Sequence, residues 1–117
     1  MEKKYNEFLS ALNDIRTEVV DCIETLIKEL GVNNKVDMPE DIDDYVYPEL
    51  SYMGGNHPEY ASNVFERFDS ITLENESDII IHFSNGCAQD LCENNLDDVL
   101  FVMQILLTIK KKFPKTI

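Results

Sequence analysis

Apolar positions recur at helical spacing from the start of the chain. Tyr5, Phe8, Leu9, Leu12, Ile15, Val19, Cys22, Ile23, Leu26, Ile27 and Leu30 make one stripe, with Glu7, Ser10, Asp14, Glu18, Asp21, Glu24 and Lys28 opposite. The pattern predicts an amphipathic helix over about 4–30, one face on a core and the other in water. No proline interrupts it, and Gly31 stands where a left-handed C-terminal cap is expected. A second helical pattern closes the chain over about 95–113. Asn95 suits an N-cap, Asp97 and Asp98 suit the positive end of the helix dipole, and Lys110, Lys111 and Lys112 suit the negative end before Pro114.

That second helix is apolar over an unusually wide arc. Leu96, Val99, Leu100, Val102, Met103, Leu106 and Leu107 span roughly 160° of the wheel, and Phe101, Ile105 and Ile109 form another stripe beside them. One packing face cannot bury both. Either the first helix covers Phe101, Ile105 and Ile109 inside the domain, or these three form a homodimer face.

Between the helices the period changes. Residues 64–74 and 78–84 read as two strands, with Asn75, Glu76 and Ser77 as the polar link of a β-hairpin. Alternation places Ile79, Ile81 and Phe83 on one face and Ile80, His82 and Ser84 on the other. Asn85-Gly86 is a turn signal, and a further short strand fits between Cys87 and Cys92. Residues 32–62 are an irregular acidic segment. Pro48 keeps Tyr45 to Met53 out of a central sheet position and leaves an edge strand or extended loop. Gly54, Gly55 and Asn56 mark a turn that His57-Pro58 extends. The expected architecture is a single α+β domain over 1–117. A small antiparallel sheet of two to four strands has both helices on one face.

Charge sharpens this picture. The 117 residues carry a formal net charge of −13, and residues 37–98 hold sixteen acids against one base, Arg67. Such a field repels nucleic acid and anionic lipid and attracts basic proteins. The acids Asp41, Asp43, Asp44, Glu49 and Glu59 are the candidate partner-binding residues. An acidic surface of this kind can occupy the basic groove of a nucleic-acid-binding protein, or can simply aid solubility. Three cysteines and an N-terminus without an apolar leader core point to a reduced, cytoplasmic setting.

Common enzyme signatures are absent. No Gly-rich loop leads into a helix with a lysine, and dinucleotide, kinase, serine-hydrolase and zinc-protease motifs do not occur. His82, Cys87, Asp90 and Cys92 are the one cluster with reactive chemistry, as a thiol–imidazole pair or as metal ligands. Cys87 and Cys92 have no second close pair, so the expectation is no metal, no cofactor and no catalysis. The segment from Asp37 to Asp44 lacks the ligand spacing and central glycine of an EF-hand loop.

The stretches FLSALNDIRTEVVDCIETLIKELG, ITLENESDIIIHF and NNLDDVLFVMQIL together resemble a loose group of short, acidic, uncharacterised proteins of gut anaerobic bacteria and their mobile elements. The resemblance covers both ends and the hairpin but not residues 32–62. It implies a cytoplasmic accessory protein, and it carries over no functional residue.

Overall fold

A computed structural model describes residues 2–52, 64–75 and 77–114. Helix α1 runs Glu2–Leu30, strand β1 Lys35–Asp37, β2 Glu49–Tyr52, β3 Val64–Glu74, β4 Asp78–Phe83, β5 Ala88–Asp90, and helix α2 Leu96–Lys112. Two 3-10 turns, Glu40–Asp44 and Leu91–Glu93, precede β2 and α2. This is the α+β architecture that the sequence predicts, with five antiparallel strands in place of two to four.

The sheet is organised on β3. It pairs along one side with β4 and along the other with β1, in the order β1-β3-β4-β5, while β2 takes the earlier stretch of β3. A register shift between Phe68 and Ser70 separates the two stretches, and Asp69 at that shift accepts a hydrogen bond from the Met38 amide. The bulge lets one strand serve partners on both of its halves. The β3–β4 hairpin turns at Asn75, whose φ is 50°.

β1 is the strand that the periodicity missed. Only Val36 of its three residues is buried, too little pattern to register as a strand. The turn that delivers it uses Asn33 and Asn34, both with positive φ, between reciprocal hydrogen bonds joining Val32 and Lys35. Asparagine tolerates that left-handed backbone well enough to make a two-residue hairpin turn. The left-handed residues are therefore Asn33 and Asn34, and Gly31 has a different role. Its amide continues the helix by donating to Ile27, and an added Cβ would stand 2.7 Å from the carbonyl oxygens of Ile27 and Lys35.

The core lies between the helices and one sheet face. Ile79, Ile81 and Phe83 from β4 join Phe68, Ile71 and Leu73 from β3, Val19, Ile23, Leu26 and Ile27 from α1, and Val99, Val102, Ile105, Leu106 and Ile109 from α2. Ile105 and Ile109 are thus buried and Phe101 packs against the core, so these residues are internal and offer no free dimer face. Leu100 and Leu107, from the wider stripe, are exposed instead. The buried arc of α2 is rotated by about 80° from the centre of that stripe, at 100° per residue.

The two helices run parallel. The Arg16 guanidinium donates to the carbonyls of Cys92 and Asn94, at 3.3 and 2.7 Å, beside the start of α2. At the other end Lys110 pairs with Glu29 at 2.9 Å. Asn94 is buried at the head of α2. Its amide group donates to the Ser51 carbonyl at 3.3 Å and to Asp98 at 3.1 Å, and it accepts from the Gln89 side chain. Asn95 then caps α2 by accepting from the Asp98 amide at 2.9 Å.

Two stability predictions follow from these contacts. Asn94→Ala leaves Gln89 and the Ser51 carbonyl without their partner, and should lower the stability measured by urea unfolding by about 1–3 kcal/mol. Gly31→Ala forces a methyl against two backbone oxygens and should cost about 1–3 kcal/mol in the same measurement. A left-handed substitute such as Asn at 31 should give no relief, because the obstacle there is space and not φ.

Candidate functional site

The acidic 3-10 turn is held by one apolar anchor. Ile42 is fully buried, and its carbonyl accepts from the amides of Tyr45 and Val46, each at 2.9 Å. With Ile42 pointing inward, Asp41, Asp43 and Asp44 face solvent. The near-threefold repeat of a 3-10 turn sets Asp41 and Asp44 on the same side.

Asp43 is committed within the molecule. It accepts from the Arg67 guanidinium at 2.7 Å, and Arg67 also lies 3.8 Å from Asp69 and 5.3 Å from the centre of the Tyr47 ring. The Asp43 hydrogen bond holds the Arg67 pKa above its ordinary value, against the opposing effect of burial. Glu49 stands opposite Arg67 in the β2–β3 ladder. The fold therefore brings Asp43 and Glu49 to the one arginine of the acidic stretch, while Asp41 and Asp44 stand exposed on the same turn. Glu59 lies outside the described residues, as do Gly54, Gly55, Asn56 and His57.

Aromatic rings flank the turn. Tyr45 meets Phe113 edge to face at 5.7 Å, with Lys112 5.4 Å from its ring centre. Tyr45 and Tyr47 both remain about half exposed. Their apolar bodies and polar tips beside carboxylates suit a protein contact surface. The sequence pattern showed a Tyr-rich stretch there, but not that the rings would bracket the acids.

More acids lie on the open face of the sheet, away from the helices. The ladder sets Lys35, Thr72, Ile80 and Asp90 in one row and Asp37, Ser70, His82 and Ala88 in the next. Glu74 and Asp78 pair beyond them. Thr72 Oγ1 and His82 Nε2 are 2.8 Å apart across β3 and β4. His82 thus has a strand-face partner, Cys87 sits in the turn before β5, and Cys92 sits in the 3-10 turn after it. All three cysteines are free thiols. Among the described residues, no three His, Cys, Asp or Glu come close enough to hold a metal ion. The metal-site alternative built on His82, Cys87 and Cys92 finds no support in this arrangement.

Burial raises the Cys92 pKa, and the nearby Asp90 carboxylate raises it further. Asp90 also accepts from the Cys92 amide at 2.8 Å, capping the 3-10 turn. A raised thiol pKa lowers the thiolate fraction at neutral pH, the reverse of what a nucleophilic cysteine needs.

No protein-family model, curated protein or solved structure matches the chain. Among the described residues no helix is long and apolar enough to cross a membrane.

With Cys22 and Cys87 changed to Ser, alkylation by iodoacetamide should report on Cys92 alone. Its rate should climb with pH through a midpoint above that of a simple thiol. Asp90→Asn keeps a capping oxygen and removes the charge, so it should shift that midpoint downward. An unmoved midpoint would show that burial alone sets the thiol.

Proposed function

We propose that the chain is a non-catalytic, acidic protein-interaction module that binds a basic partner. A nucleic-acid-binding protein fits this chemistry, and the chain would then act as its inhibitor or regulator by occupying the surface that takes phosphates. One observation carries the reading. Arg67, the one lysine or arginine among residues 37–98, is taken up by Asp43 and Asp69, so the other acids of that stretch have no such base within it to neutralise them.

The contact surface of this reading is the acidic 3-10 turn with its flanking tyrosines. Asp41 and Asp44 supply charge, Tyr45 and Tyr47 supply apolar area, and the buried Ile42 keeps the turn in place before a partner arrives. Preorganisation of this kind lowers the entropy lost on binding. Asp43 acts differently: it holds Arg67, and through Arg67 the approach of the turn to β3. The reading needs no cofactor, and it agrees with the cytoplasmic accessory role that the sequence resemblance implies.

Tagged protein incubated with host extract should retain a basic protein at low salt and release it at high salt. Asp41→Asn with Asp44→Asn should weaken that complex about three- to tenfold and flatten its salt dependence, because two charges leave the interface. Adding Asp43→Asn should weaken it further and also lower stability slightly. Equal retention by the wild type and the double variant would remove the acidic turn as the interface.

A further inference from the structure

Five large apolar side chains on the first half of α1 stand in solvent. Tyr5, Phe8, Leu9, Leu12 and Ile15 are between 42 and 68 % exposed. The same stripe is core at Val19, Ile23, Leu26 and Ile27. The change comes at Arg16, where α2 begins alongside. Residues 2–15 run about 21 Å beyond that point at 1.5 Å per residue, and the molecule is accordingly 54 Å long against 34 and 30 Å across.

We infer that this projecting half-helix pairs with its equivalent in a second copy of the chain, antiparallel, to form a homodimer. Three features single out this occupant. Tyr5, Phe8, Leu12 and Ile15 repeat at alternating steps of three and four, the spacing of a coiled-coil seam. In an antiparallel alignment centred near residue 10, Tyr5 of each copy meets Ile15 of the other and Phe8 meets Leu12, so every seam position has an apolar partner. On the flank of that alignment Lys4 of one copy comes beside Glu18 of the other, an opposite-charge pair made twice.

Charge supports the same arrangement. Residues 2–16 hold Glu2, Glu7 and Asp14 against Lys3, Lys4 and Arg16, a balance of zero in a chain of −13. Two copies can therefore meet here without the repulsion that opposes contact between their acidic bodies. An antiparallel overlap also places those bodies at opposite ends, separated by more than the Debye length of about 8 Å at physiological salt. A parallel overlap would set them side by side, with both helix dipoles aligned unfavourably.

Area sets the strength. The five side chains remove about 500 Å² per copy, or about 1,000 Å² in all, which the stems of flanking residues bring near the lower bound of specific interfaces. A dimer of this size dissociates at micromolar concentrations, roughly. The inference is independent of the acidic turn, which lies on another part of the molecule.

Sedimentation velocity of the full chain across a concentration series is the test. The expected result is a species of twice 13.5 kDa that gives way to 13.5 kDa on dilution. Phe8→Glu with Leu12→Glu should be monomeric throughout and match the urea midpoint that the wild type shows at concentrations where it too is monomeric, since neither side chain is in the core. Lys4→Glu alone and Glu18→Lys alone should each weaken the dimer, and the two together should restore it. A wild type that is monomeric at every concentration hands the stripe to a partner of another sequence and overturns the inference. A dimer that survives Phe8→Glu with Leu12→Glu overturns it as well, and failure of the charge-swapped pair to recover overturns the antiparallel register.

Discussion

The contact on which this structure depends is the polar junction at Asn94. Its side chain ties the 3-10 turn to β2, β5 and α2, and its carbonyl receives Arg16 from α1. Burying an amide is favourable only when its hydrogen bonds are met, so a junction of this kind accepts one geometry and rejects neighbouring ones. Apolar packing alone would let α1 slide along α2 by a turn at modest cost. Arg16 at one end and the Lys110–Glu29 pair at the other fix the slide. Once α2 starts beside Arg16, the part of α1 before Arg16 runs past it with its apolar side chains exposed.

That dependence explains what the sequence could and could not disclose. The helical stripe from Tyr5 to Leu30 is unbroken, and periodicity rightly reads it as one helix. Periodicity reports which face is apolar, however, not how much of it another element reaches. The second helix is 17 residues against 29 in the first, so the stripe is core for half its length and surface for the rest. In α2 the two stripes were visible, but the choice between them was not. The arc that faces inward is set by where α1 and the sheet stand, and this brought Ile105 and Ile109 inside and turned Leu107 out.

The sheet was legible where strands are long and alternating. β4, with Ile79, Ile81 and Phe83 inward, announces itself. β1 has three residues and a single buried side chain, and it exists because β3 has a free edge past its bulge and an Asn-Asn turn brings the chain back to it. Such a strand is made by its partner, not by its own composition. The acidic segment lacks a local periodicity for a related reason. Its order comes from Ile42 in the core and from the pairing of Asp43 with Arg67, residues 24 positions apart whose meeting no local pattern encodes.

Charge and shape then divide the molecule. The acidic stretch forms most of the sheet and the 3-10 turn, where self-repulsion among many carboxylates is tolerable because they face water and, among the described residues, no ionisable side chain is buried in the core behind them. The projecting half of α1 has the opposite character, neutral and apolar. A chain so negative resists association over most of its surface, which makes a neutral apolar segment the place where two copies meet at least electrostatic cost. If that segment were as acidic as the rest, exposure of five large apolar side chains would be harmless and uninformative. Its neutrality gives the exposure meaning, because it removes the one force that would otherwise keep such a stripe apart from its own kind.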